Sequence, residues 1–122
     1  MLYTVDITER VQGCVGSRLS LNCPEMKVIE VTDVVIGDSA CLGTSCCIRD
    51  SDCTGNANAN HVIDVHSRCD GQSSCIVDVV REEFGCGYLG FRSQNDFERI
   101  TYNCRNDSRS KRVLLLRHPM QL

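Results

Sequence analysis

The sequence predicts one small, disulfide-rich α+β domain with four or five β-strands and one helix. The chain has 122 residues, the size of a single domain. Its ten cysteines are an even number, as expected of a core that is reinforced by disulfide bonds. Stretches of alternating apolar and polar residues predict strands, and one stretch with helical spacing predicts the helix.

Four stretches have the composition of strands. Residues 18–23 alternate two leucines and a cysteine with polar residues, which is typical of a half-buried strand. Residues 27–37 are mostly apolar and β-branched, and they predict a long strand that ends at Gly37. A short strand is predicted at residues 75–80, and an alternating last strand at 97–104.

The predicted helix lies between these strands. Asn58 or Asn60 is its expected N-cap, since an asparagine side chain accepts a hydrogen bond from a free amide of the first turn. Val62, Val65 and Cys69 then lie on one stripe, which predicts the buried face.

The rest of the chain is predicted to be connections. Residues 38–60 are loop-like around four cysteines, and residues 82–95 form a glycine-rich connection. We divide the chain into a lead-in at residues 1–10, a folded domain at 11–104 and a basic tail or linker at 105–122.

The cysteine spacing predicts disulfide bonds rather than a zinc site, because none of the paired C-x-x-C knuckles typical of zinc proteins occurs. Calcium is also not expected. Asp50, Asp52, Thr54 and Gly55 resemble the start of an EF-hand loop, but His61 stands where that loop needs a glutamate. We therefore predict neither a metal nor another cofactor.

Disulfide bonds indicate the secretory pathway or the cell surface. The first ten residues, MLYTVDITER, do not have the composition of a signal peptide, so we expect a removed leader or a fragment of a longer protein. The late apolar cluster RVLLLRHPM is too short to span a bilayer, and no direct membrane insertion is predicted. Asn106 begins a glycosylation sequon with Asp107 and Ser108.

The charge distribution argues against nucleic-acid binding. Residues 1–104 contain eight Lys or Arg against fifteen Asp or Glu, a net charge of −7. Residues 105–122 contain five Lys or Arg against Asp107, a net charge of +4. Nucleic-acid binding requires a basic surface, which the acidic body does not offer.

The sequence does not predict an enzyme. His61, Asp64, His66 and Ser67 lie close together, but His61 and His66 are five residues apart and point in different directions on a helix. Nucleophilic catalysis needs its groups in one hydrogen-bonded chain, so we interpret these four as polar residues of an exposed helix face. No GxSxG, HExxH or P-loop motif is present.

The cysteine pattern resembles that of the SUEL-type lectin domain, the galactose- or rhamnose-binding lectin family. The resemblance covers residues 11–104 and rests on CVGSRLSLNC, RCDGQSSC and a final ITYNC. It implies a small α/β (α+β) fold with a sandwich-like core of antiparallel strands and one helix. It also implies calcium-independent binding of L-rhamnose or D-galactose.

The resemblance further implies the disulfide pairing. Cys69 would pair with Cys75, Cys23 with Cys104, and Cys53 with Cys86. Cys14 would pair with one of the three cysteines of the following loop, which leaves two of them as extra cysteines. These three are Cys41, Cys46 and Cys47.

The chain departs from the family at its motif positions. Val15 stands in place of the family's glutamate, and Ile36-Gly37-Asp38 in place of its aromatic-Gly-Arg turn. Phe84-Gly85-Cys86 replaces Asp-Pro-Cys, and Asp96-Phe97-Glu98 replaces Lys-Tyr-Leu. These changes predict an altered sugar site.

The sequence therefore predicts an extracellular carbohydrate-binding module with an altered or degenerate sugar site. Asp38, Asp96, Glu98 and Arg99 are its candidate ligand-binding residues. The expected partner is a cell-surface glycan or glycoprotein. The alternative is a protein–protein adhesion or recognition module that has kept the scaffold without sugar binding and contacts an extracellular protein receptor.

Overall fold

A computed structural model of the chain describes residues 7–39, 53–86 and 91–107. These residues form eight β-strands and one α-helix in a single antiparallel α+β arrangement. In chain order the elements are β1 (Ile7–Cys14), β2 (Arg18–Asn22), β3 (Lys27–Asp38), β4 (Cys53–Asn56), α1 (Ala59–Cys69), β5 (Ser74–Asp78), β6 (Glu83–Cys86), β7 (Phe91–Gln94) and β8 (Phe97–Asn106).

The largest sheet has four strands in the order β1-β8-β3-β4, so the last strand lies in the middle. β8 pairs along nearly its whole length with β1 on one side and with β3 on the other. The strands β2 and β5 form a separate two-stranded ribbon, and β6 and β7 form a hairpin. The fold is therefore mostly β with antiparallel sheets and one helix, as the α+β prediction required.

The core lies between the four-stranded sheet, the β2–β5 ribbon and α1. It contains Leu21 of the ribbon, Ile29 of β3, Val65 of the helix and Ile100 of β8, all of them fully buried. The alternation of apolar and polar residues in β2 and β8 correctly predicted which of their side chains are buried, because alternate side chains of a strand face opposite sides of the sheet.

A β-bulge lets both halves of β3 face the core. Val31 pairs with Tyr102 and Asp33 with Thr101, so Thr32 is an extra residue. The core-facing residues are thus odd-numbered before the bulge and even-numbered after it, as expected when one residue is inserted. The carboxylate of Asp70 accepts a hydrogen bond from the amide of Val31 at 2.8 Å and so satisfies a backbone donor at the bulge.

The helix has the predicted cap and the predicted buried stripe. The side chain of Asn58 accepts a hydrogen bond from the amide of Asn60 at 2.8 Å, which identifies Asn58 as the N-cap. Val65 and Cys69 are fully buried, and Val62 packs against the same core. Gly71, just past the helix, has a φ of 80°, a conformation that glycine adopts without steric cost.

Two predicted disulfide bonds are confirmed. Cys23 is bonded to Cys104, and Cys69 to Cys75. Cys14 and Cys53 are disulfide-bonded as well. Their predicted partners lie outside the described side chains. These partners are Cys86 for Cys53 and one of Cys41, Cys46 and Cys47 for Cys14.

Several strands lie where the sequence predicted none. β1 begins at Ile7, so residues 7–10 of the predicted lead-in belong to the sheet. Thr8, Glu9 and Arg10 are exposed on this edge strand, so it has no apolar alternation to reveal it. β4 lies inside the predicted 38–60 loop, and the β6–β7 hairpin inside the predicted 82–95 connection.

The strands β4, β6 and β7 are only four residues long each, and glycines interrupt β4 and β6. Residues 40–52, the cysteine-rich part of the predicted loop, lie outside the described residues. Nearly all of the predicted tail also lies outside the described residues. Its first two residues, Arg105 and Asn106, are described and end β8.

Candidate ligand-binding site

The four candidate ligand-binding residues come together at one end of the four-stranded sheet. Asp38 is the last residue of β3, whereas Glu98 and Arg99 lie at the start of β8. Asp96 directly precedes β8, and its amide donates to the carbonyl of Gly37 at 2.8 Å. We call this region the sheet end.

Asp96 has a structural role there. Its carboxylate accepts hydrogen bonds from both the amide (2.8 Å) and the hydroxyl of Ser39, which is completely buried. Its carbonyl accepts from the amide of Val15 at 2.8 Å, so the segment that follows β1 lies beside it. Asp96 therefore joins the end of β3 to the segment that follows β1.

Glu98 is fully buried and pairs with His61 of α1. The distance between Glu98 Oε2 and His61 Nε2 is 2.7 Å, and the His61 side chain is only 13% exposed. Within the described part of the chain, Glu98 Oε1 is buried and has no hydrogen-bond partner. Glu98 thus reaches another element of the fold rather than solvent.

The Glu98 carboxylate controls the protonation of His61. Its hydrogen bond raises the pKa of His61 above the ordinary 6.5, although partial burial of the ring acts in the opposite direction. The negative charges of Glu98, Glu82 and Asp64 add to the increase. The proximity favours a charged imidazolium–carboxylate pair.

The interpretation of His61 as an exposed polar residue is therefore wrong. The sequence contains no local signal for this contact, because its partner lies 37 residues away. The prediction that His61 and His66 point in different directions is confirmed, since His66 Nδ1 lies 2.6 Å from Asp70 Oδ2 instead. Asp64 is paired with Arg68 at 2.9 Å.

Arg99 lies on the opposite face of β8 from Glu98. Its Nε donates to Gln12 Oε1 at 3.0 Å, and its guanidinium lies 5.6 Å from the centre of the Phe97 ring. Phe97 is fully buried against Gly37, where an added Cβ would lie 2.3 Å from the ring. Gly37 is therefore required by this close approach, and the ring is not available to stack on a ligand.

A buried asparagine that the sequence did not single out supports the sheet end. Asn95 is 1% exposed; its Oδ1 accepts from the amide of Glu82 at 2.6 Å, and its Nδ2 donates to the carbonyl of Val80 at 3.0 Å. Glu82 in turn accepts from the amide of Asn58 at 2.7 Å. These bonds tie the start of the helix to the segment before β8.

The sheet end thus divides the candidate residues into two kinds. Asp96 and Glu98 bond other parts of the domain, whereas Arg99 is half-buried and keeps guanidinium donors besides its Nε. That all four bind ligand stays a prediction.

In the described residues no group of three or more His, Cys, Asp or Glu side chains is arranged to hold a metal ion. Of the calcium-like stretch, Thr54 and Gly55 lie in β4, and Asp50 and Asp52 lie outside the described residues. None of the helices in the described part has the length and apolar character needed to cross a membrane.

A comparison of the chain with protein-family models and with curated proteins found no match.

Proposed function

We propose that this protein is an extracellular carbohydrate-binding module of the rhamnose- or galactose-binding lectin type, with a sugar site that differs from that of the lectins it resembles. The observation that carries the proposal is the disulfide framework. Cys23–Cys104 and Cys69–Cys75 join the cysteines that the lectin pattern pairs, within an antiparallel α+β domain.

The disulfide bonds are compatible with an extracellular location. The glycosylation sequon supports the same location, because Asn106 is exposed at the last position of β8. Lys27 donates to Asn106 Oδ1 at 3.3 Å, whereas a glycan would be attached to the other side-chain atom, Nδ2.

Arg99 is the residue of the sheet end that we expect to contact a ligand. Sugar recognition depends on side chains that hydrogen-bond ring hydroxyls, and a guanidinium offers five donors, of which Gln12 uses one. Glu98 would act indirectly, through the position of His61.

Protein recognition is the second candidate, and a specific observation favours it. Asp96 and Glu98, two of the four candidate residues, are occupied by bonds within the domain. Large apolar side chains are also exposed, namely Ile63 at 66%, Ile76 at 55% and Val80 at 48%. Such side chains suit contact with an extracellular protein receptor.

A glycan array with competition by free L-rhamnose and D-galactose tests the proposal. We expect binding that either free sugar reduces, and a loss of about tenfold in affinity for Arg99→Ala, the equivalent of one lost charged hydrogen bond. Arg105→Ala is the matched control, because Arg105 lies on the same face of the same strand at its other end. An array without signal would contradict the lectin proposal and leave protein recognition.

A further inference from the structure

The outer face of the β2–β5 ribbon carries a groove of about 570 Å³, within the size range of small-molecule sites. Cross-strand pairs line up on this face, Ser20 opposite Ile76 and Asn22 opposite Ser74. Arg68 of the helix end and Gln72 of the following turn border it. We call these six residues the ribbon groove.

The neutral polar side chains of the ribbon groove are free to bind a ligand. Ser20, Asn22, Gln72 and Ser74 are exposed, and their side chains make no hydrogen bond to the part of the protein that the structure describes. Two hydroxyls and two amides provide both donors and acceptors. Ile76, 55% exposed, adds an apolar surface between them.

The charges around the ribbon groove are balanced. Arg68 is paired with Asp64 at 2.9 Å, and Arg18, the next residue along the same face, is paired with Asp78 at 3.1 Å. An anionic or cationic ligand would therefore meet no excess of opposite charge. A neutral ligand with many hydroxyl groups fits this chemistry best.

The backbone holds the ribbon groove in place before any ligand binds. The turn after the helix is closed by Cys69–Cys75. Its Gln72 and Ser73 carbonyls each accept a hydrogen bond of 2.8 Å, from the amides of Ile29 and Cys23. A site that is already ordered loses less entropy on binding, which favours affinity for a small ligand.

We propose that the ribbon groove binds a neutral saccharide, with the hydroxyl and amide groups bonding ring hydroxyls and Ile76 packing against a C–H face of the sugar. The proposal rests on the proposed carbohydrate-binding function and adds to the sheet end a second place where a sugar binds. Cys104, next to the ribbon through its bond to Cys23, lies five residues or about 16 Å along β8 from Arg99.

Titration of the ¹⁵N-labelled protein with methyl α-L-rhamnoside and methyl β-D-galactoside, followed by NMR, tests this assignment. We expect saturable shifts of the amides of Ser20, Asn22, Ser74 and Ile76. Ser20→Trp fills the groove, and Asn22→Ala/Ser74→Ala removes two bonding groups; each should weaken the binding that the groove amides report by about tenfold or more. Both variants change exposed side chains, so their spectra without sugar should show an intact fold.

Glu9→Ala, on the exposed edge strand β1, is the control and should bind either glycoside as the unchanged protein does. Shifts centred on Arg99 and Asp38, with binding lost in Arg99→Ala but kept in Ser20→Trp, would overturn the groove assignment and leave the lectin function standing. No shift with either glycoside and a silent array would overturn both. A protein ligand blocked by Ser20→Trp, without sugar binding, would also overturn the saccharide assignment.

Discussion

The sheet end and the ribbon groove are both rich in polar residues, yet they use them in opposite ways. At the sheet end, Glu98 and Asn95 are almost completely buried and bond His61 and the backbone around residue 82. In the ribbon groove, the side chains of Ser20 and Ser74 are exposed and make no hydrogen bond within the described part of the protein.

The difference shows that a charged residue near a motif position need not be a ligand-binding residue. A buried charge is costly unless it is paired, so the partner of Glu98 had to come from within the fold. Exposed serines and asparagines carry no such requirement and can exchange water for a ligand. Charged residues alone would therefore indicate the sheet end as the region with more side chains available to a ligand, whereas that region is the ribbon groove.

Loss of Cys23–Cys104 should have the largest effect, because this bond joins the ribbon to the middle strand of the sheet. Its sequence separation is 81 residues, against 6 for Cys69–Cys75. The chain-entropy model gives about 4–5 kcal/mol for the long closure and about 2 kcal/mol for the short one. Urea unfolding of Cys23→Ser/Cys104→Ser and Cys69→Ser/Cys75→Ser, together with their secreted yields, measures this difference.

Equal destabilisation by the two double variants would contradict that ranking. Both bonds include a fully buried cysteine, Cys104 in one and Cys69 in the other, so the loss of packing is similar and the comparison isolates loop closure.

Removal of the Glu98 carboxylate should be nearly as costly. Glu98→Ala leaves His61 without its partner in a largely buried position, which costs about 3–5 kcal/mol of unfolding free energy. Asp78→Ala is the matched control on the ribbon, since it breaks an exposed ion pair with Arg18 that is worth at most about 1 kcal/mol.

A double variant separates the energetic contribution of the His61–Glu98 pair from that of the packing around it. His61→Leu/Glu98→Leu removes both charged groups and should recover most of the stability that Glu98→Ala loses, because apolar residues of similar size often replace a buried ion pair at little cost. If Glu98→Ala were as mild as Asp78→Ala, the proposed burial of the sheet end would be wrong.

A smaller effect is expected from pH, and it should come from the sheet end. The pKa of His61 is raised in the folded protein, so the contribution of the pair is fully present below the unfolded value of 6.5. It is lost as the pH rises through the folded pKa. Urea unfolding from about pH 6 to about pH 9 should therefore show a fall in stability that His61→Gln lacks. The same fall in His61→Gln would assign it to another group.

The helix and the longer strands could be predicted from the sequence because each carries its own periodicity. The alternation around Leu19 and Leu21 and the capping asparagine Asn58 are local signals. β1 could not be predicted, since an exposed edge strand has no apolar face. The bulge at Thr32 was also hidden, because it depends on pairing with β8.

For the candidate sites, the sequence indicated the right region but not the state of its residues. It brought Asp38, Asp96, Glu98 and Arg99 into one set through the resemblance, and they do lie at one end of the sheet. It contained no sign that Glu98 is buried. The ribbon groove was not predicted at all, because small polar residues are common on any exposed strand face.

The sequence by itself determined the strand and helix patterns of β2, β3, α1 and β8, and the resemblance of its cysteine pattern implied the two disulfide bonds that are confirmed. Only the tertiary structure decided which polar groups are used inside the domain and which are free. The physical reason is distance along the chain. Periodicity is a property of neighbouring residues, whereas the pairing of His61 with Glu98 and the alignment of Asn22 with Ser74 join residues that meet only when the chain folds.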